Sequence, residues 1–373
     1  MQMEKELQKA IYKANKSKWD KARAEKITKE GLYEVWYTMV DDIPREEAYW
    51  IRYTLMCPKT DKKREKGQNL NAYIDSLGGD GMLWIGFFNA KDPSKNFMAK
   101  HGFLLSEVEG SKELDENKYL VARVKDAVVH NDGIKGSFET KSGRKISWDL
   151  QFSHFMDPYI TTPDIAKTLG FTNTLAKASH PNLRITGNIT IDDDSKDLDN
   201  IPGIQYHTYG DGYEIPWEWF SCHTFKNALD AYLDLGYKIN KGTLEFFDGK
   251  KRITLWNNKV VNKLKVMKKI KRVKSLTSLS FDLDLKDIAF QGEVTVPMED
   301  ILAVEYKGPR GNSFFCYNSE MANCKFLLKF KNPDGSIKEE KEYIAEKSVS
   351  FETVYENPQG DINFLPWEKE ELL

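Results

Sequence analysis

Cysteine is scarce in this chain: four residues in 373, Cys57, Cys222, Cys316 and Cys324. None forms a CxxC pair, so no structural zinc site is expected, and thiols this sparse read as free thiols of a reducing compartment. Long apolar runs are lacking too. No stretch approaches the ~20 residues that cross a bilayer as a helix, and the opening MQMEKELQKAIYKANK has no leader-like apolar core. The expected location is cytoplasmic. Net charge is nearly absent, with Lys plus Arg at 55 against Asp plus Glu at 57, which offers no global field for nucleic acid. No GxSxG, P-loop, GxGxxG or HExxH stands in a supporting strand and helix context, and no cofactor or metal is expected. An alternating βαβ pattern is missing as well, which disfavours a parallel doubly wound sheet.

What the chain does have is aromatic residues, 12% of its length. Trp, Tyr and Phe cover much area per residue and suit twisted sheets. Residues 3–28 read as one polar helix, with Leu7, Ile11 and Ala14 at helical spacing and Gly31 as a stop. From Leu32 onward short aromatic and β-branched runs follow one another, beginning with LYEVWYTMV and EAYWIRYTLMC and separated by turn chemistry such as NDG and KSG. Residues 59–80 read as a charged loop and 158–181 as a helix or crossover. Many short strands with meander connections predict barrels or sandwiches. The expected class is mainly β: two lipocalin-like (calycin) antiparallel barrels with an N-terminal helix. The expected division is an arm over 1–30, a first barrel over 31–195 and a second over 196–373, parted at the polar run DDDSKDLDN.

Four segments carry a resemblance. YEVWY (Tyr33 to Tyr37) resembles the opening motif of the hydroxyneurosporene synthase and tocopherol cyclase superfamily of calycin-like double barrels. AYWIRYTL (Ala48 to Leu55) and SWDLQF (Ser147 to Phe152) look like strands of an uncharacterised branch of that superfamily. EYKGPRGNSFFCYNSEMANCKF (Glu305 to Phe326) resembles its C-terminal segment. The resemblance implies a hydrophobic, isoprenoid-like ligand and hydration or cyclisation chemistry. Two departures touch the ligand region: Val35 stands where the opening motif commonly has a second tryptophan. His207-Thr208-Tyr209-Gly210 has tyrosine where the superfamily has tryptophan.

Period-2 alternation sorts the candidate residues. Tyr33, Val35 and Tyr37 share one face of their strand; Glu34 and Trp36 share the other. A carboxylate beside an indole in a dry cavity would be a proton donor near neutral pH; the alternative is a register-holding pair between Glu34 and Arg52. Asp149 poses the same choice, opposite a Trp148, Leu150, Phe152 stripe. His207 is the third candidate for proton chemistry, or else a core histidine bonded to a backbone carbonyl. No third ligand supports a metal site built from His207 and His223. Trp36, Trp50, Trp84 and Trp219 are expected as cavity walls, with Arg52 and Tyr209 as further ligand contacts. The basic run 258–274 reads as a solvated face or as an amphipathic segment suited to peripheral contact with an anionic membrane. The function so predicted is binding or carriage of a hydrophobic small molecule, with acid-assisted hydration or cyclisation as the alternative and a filled-core interaction protein as a third.

Overall fold

The structure is a computed structural model that describes residues 2–115, 118–161, 164–170, 172–238, 241–254 and 271–360. Helix α1 (Gln2–Asn15) opens the chain and a short helix α2 (Ala24–Ile27) follows. Thirteen strands then form one antiparallel sheet. They are β1 (Leu32–Asp42), β2 (Glu47–Cys57), β3 (Asp80–Asn89), β4 (Phe97–Leu104), β5 (Val108–Glu109), β6 (Lys112–Asp115) and β7 (Lys118–Val124). β8 (Ala127–His130), β9 (Gly133–Glu139), β10 (Lys145–Ser153), β11 (Tyr159–Ile160), β12 (Thr174–Ile191) and β13 (Asp194–Gly210) complete it. Helix α3 (Leu70–Asp75) precedes β3, and helix α4 (Asp164–Thr168) precedes β12.

Ten strands form a second antiparallel sheet: β14 (Trp217–Cys222), β15 (Tyr232–Lys238), β16 (Lys241–Phe247), β17 (Arg252–Thr254) and β18 (Lys271–Lys274), then β19 (Ser278–Asp284), β20 (Ile288–Thr295), β21 (Leu302–Lys307), β22 (Ser313–Lys331) and β23 (Ile337–Tyr355). The protein is thus mainly β, as its composition and rhythm predict. One sheet is a nearly closed barrel and the other a half-barrel. No helix among the described residues is long and apolar enough to cross a membrane.

Strand alternation divides the apolar side chains into three cores. Trp36, Val40, Ile51, Tyr53, Leu83 and Leu150 pack inside the first sheet. Phe220, Leu235, Phe246, Phe326 and Phe351 pack inside the second. A third core lies between the sheets, where Met39, Trp50, Trp84 and Tyr206 of the first meet Leu302, Val304, Tyr306 and Phe314 of the second.

Four expectations change. The polar helix stops at Asn15, because Ser17, Lys18 and Trp19 leave the helix to hydrogen bond Glu34 on the barrel. The loop 59–80 contains α3, capped by Asn69, whose side chain accepts from the amides of Asn71 and Ala72. The run DDDSKDLDN is the turn of a hairpin and the start of its second strand, β13: Thr190 pairs with Ser195 and Ile191 with Asp194, and Asp192 takes a left-handed φ of 55°. Acidic clusters suit a tight turn as well as a linker. β13 is hydrogen bonded to both β1 and β12, so residues 196–210 belong to the first sheet and the chain passes between sheets at 211–216. Of the basic run 258–274, residues 258–270 lie outside the described residues, and 271–274 form β18, paired with β19.

Candidate site between the sheets

The expected site residues separate into two groups and one outlier. Glu34 and Trp36 point into the first barrel, and their cross-strand partners Tyr209 and His207 point there with them. Glu34 is fully buried and accepts from Ser17 Oγ at 2.7 Å, the Lys18 amide at 2.7 Å and the Trp19 amide at 3.3 Å. His207 Nε2 lies 2.8 Å from Glu34 Oε1, while its Nδ1 lies 2.9 Å from the Ala14 carbonyl. A carbonyl only accepts, so Nδ1 is the donor to Ala14, and the Nε2 contact with the carboxylate is the second hydrogen bond of the ring. The Trp36 ring stacks on His207 with centroids 4.9 Å apart, and its Nε1 donates to the Asn15 carbonyl at 2.9 Å. Together these groups form a latch. They tie the chain after α1 to the barrel wall and use up the donors and acceptors that chemistry on a ligand would need. Tyr209 sits beside the latch, its hydroxyl donating to Asp164 at 3.0 Å.

Glu34 and Arg52 do not pair, since they project to opposite faces of the sheet. Asp149 stands apart from both groups, on the outside of β10, in an exposed ion pair with Lys135 at 2.6 Å. His223 is directed at Asp41, with its Nε2 at 2.9 Å, and not toward His207. Among the described residues no cluster of His, Cys, Asp and Glu has the form of a metal site.

Trp50, Arg52, Trp84 and Trp219 come together between the sheets. Arg52 is paired across β1 and β3 with Tyr37 and Trp84, so the three share a face. Its guanidinium carbon lies 4.7 Å from the Trp84 ring, 5.4 Å from Trp50 and 4.5 Å from Tyr306 of the opposite sheet. Ring contacts continue from Tyr306 to Phe314 (5.3 Å), Phe314 to Tyr213 (4.4 Å) and Tyr213 to Trp217 (5.9 Å). On the other flank Tyr37 and Tyr206 stack at 5.3 Å and Trp219 meets Tyr206 edge-on at 5.5 Å. Tyr37, Tyr213, Lys238 and Glu352 are set deep, with protein packed round them, yet each keeps part of its surface accessible. These half-buried side chains edge the seam between the two sheets. A separate open groove of about 450 Å³, edged by Lys271, Asp282, Glu293 and Lys325 on the second sheet, takes no part in it.

A few polar groups punctuate these walls. Asp234 accepts from Tyr206 of the first sheet and from Trp219 Nε1, the latter at 2.9 Å. Burial pushes its carboxyl up to about 6, against the pull of those two donors. Burial also raises Glu352, which accepts from Trp217 Nε1. Burial lowers Lys238, opposed by Glu214 and Glu352. It lowers Arg52 too, but Tyr306, Tyr213 and Glu352 outweigh it and the guanidinium stays a firm cation.

Sequence reasoning missed Tyr37, Tyr213, Asp234, Lys238, Tyr306, Trp217 and Glu352. The local signal was present for some: Trp217 shares a strand face with Trp219, and Asp234 interrupts the apolar YLDLGY. Which strands face one another across the gap is not written locally. Tyr306 and Phe314 do fall within the C-terminal segment that carries the family resemblance.

The chain is similar in structure to an AttH protein from Nitrosomonas europaea, at 9% identity over 87% of this chain and 92% of that one, with a TM-score of 0.43. It is similar too to CghA in its structure with Sch210972, at 10% identity over 87% and 89%, with a TM-score of 0.49. No family model and no curated protein matches the chain. With a tenth of residues identical and TM-scores below 0.5, neither likeness transfers a residue role, ligand or activity to this protein.

Proposed function

We propose that this protein binds a hydrophobic small molecule, isoprenoid- or lipid-like, in the recess between its two sheets. One observation carries the reading: aromatic rings from both sheets converge around a small number of polar groups, Arg52, Asp234, Lys238 and Glu352, the mix of apolar walls and few polar groups that ligand sites use. The sequence resemblance to the hydroxyneurosporene synthase and tocopherol cyclase superfamily supports the ligand class. Binding or carriage needs no more than these walls.

Nine tryptophans, several of them in the recess, make occupancy visible by fluorescence. Titration with a polyene lipid is expected to quench tryptophan emission saturably at one site per chain. Trp219→Ala is expected to weaken that binding about tenfold with unchanged circular dichroism. Binding that survives Trp219→Ala unaltered would place the ligand elsewhere.

A second reading, acid-assisted hydration or cyclisation, is favoured by one group. Asp234, pushed up to about 6 and bordering the recess, has the property first sought in Glu34 and Asp149. Under this reading Asp234→Asn abolishes turnover and leaves affinity intact; a bound lipid recovered unmodified from wild-type protein after long incubation counts for simple binding.

A further inference from the structure

The recess holds two cationic side chains, Arg52 and Lys238. Arg52 is 5% exposed, and its one well-formed hydrogen bond runs from Nε to Thr54 Oγ1 at 3.0 Å. The guanidinium end meets the Tyr213 hydroxyl, and among the described residues Glu352 acts on it only at longer range. Lys238, which shares a row with Trp217 across β14 and β15, is likewise acted on by Glu214 and Glu352 at longer range. Glu352 stands within electrostatic reach of both cations and touches neither. Glu352 Oε1 accepts from the Trp217 indole, and Asp234 Oδ2 accepts from the Trp219 indole and the Tyr206 phenol.

A cation removed from water and left without an anion is costly, so cationic side chains in such places have a partner. The aromatic faces around Arg52 offset part of that cost, by ~0.5–2 kcal/mol for a favourable ring contact. They do not supply the fork with an anion. A planar fork of donors is shaped for a planar, two-oxygen anion, and the ammonium, which like the guanidinium acts on Glu352, supplies a second charge.

From this geometry we infer that the ligand is an amphipathic acid, its carboxylate or acidic enol held by Arg52 and Lys238 and its apolar body laid along the Trp217, Trp219 and Tyr37 walls. The inference rests on the recess being the binding site and adds the chemistry of the ligand's polar end. Glu352 faces the same spot, and burial raises its carboxyl above the usual carboxylate range.

The probes are cis-parinaric acid and its methyl ester, which share a polyene body and differ in charge. Wild-type protein is expected to bind the acid at least about tenfold more tightly than the ester, the discrimination of a charge-assisted contact. Arg52→Gln is expected to erase that preference by weakening the acid alone, and Lys238→Met to reduce it about threefold. Lys238→Met keeps the test open if Arg52→Gln fails to fold. Equal affinity of wild type for acid and ester, or variants that weaken both alike, overturns the acid assignment and leaves the recess as a site. Binding of neither probe overturns both.

Discussion

Glu34 and Arg52 sit on adjacent strands with opposite charge, and the pleat sends them to opposite sides of the wall. That single geometric fact decides what each does. Glu34 gathers three donors from residues 17–19 and is hydrogen bonded to His207. Removing it strands those groups in a place closed to water, whereas truncating an exposed ion pair such as Asp149 with Lys135 costs little. Glu34→Ala is expected to destabilise the fold by about 3–5 kcal/mol and to release amide protection over residues 14–19. Affinity in the recess should change by less than about twofold, the two sites being on opposite faces. Hydrogen exchange together with ligand titration measures both; loss of ligand affinity with the arm still protected would return Glu34 to the binding chemistry.

Among the strands, β12 and β13 hold most of the architecture. They form the hairpin that completes the first sheet, and β12 shifts register between Ile185 and Gly187. Gly187 has φ +142°, and a Cβ there would lie 2.1 Å from the Asp149 carbonyl oxygen. Only glycine tolerates that combination, which makes the bend a property of the residue and not of the surrounding packing. Gly187→Ala is therefore expected to cost about 2–4 kcal/mol, read as a lowered urea midpoint at unchanged slope. A change within about 0.5 kcal/mol would mean that the backbone relaxes freely there. The arm illustrates a reverse case: residues 16–20 have the polarity of a continuing helix, but the hydrogen bonds offered by Glu34 outcompete one more turn of helix.

The two sheets are joined by the seam core and by Asp234, which belongs to β15 of the second sheet and accepts from Tyr206 of the first. Placing an acid there has a pH signature. Its folded pKa, about 6, lies above the ~3.9 of an unfolded aspartate, so the folded state holds the proton more tightly. Stability from this group is complete below about pH 4 and is lost as pH rises through about 6, by an amount on the order of 3 kcal/mol. Asp80, also raised to about 6 by burial, adds with the same sign. Urea midpoints across pH 4–7 should fall with rising pH, and Asp234→Asn should flatten the slope. An identical slope in the variant would show that the aspartate is already ionised throughout.

Composition, period-2 alternation and turn chemistry were enough to establish a mainly β chain of two antiparallel units, the side of each strand on which Glu34, Trp36, Trp217, Trp219 and Asp149 lie, and free thiols. These are local properties, written in neighbouring residues. Three things depended on strand partners distant in the chain: which face looked into a barrel and which across the seam, that β13 closes the first sheet, and that Arg52, Tyr306, Trp217 and Glu352 come together between the sheets. His207 lies near Trp217 and Trp219 in sequence, yet the alternation of β13 turns it into the barrel while its neighbour Tyr206 faces them. Proximity along a strand says which side a residue takes; only the closure and stacking of sheets says what waits on that side.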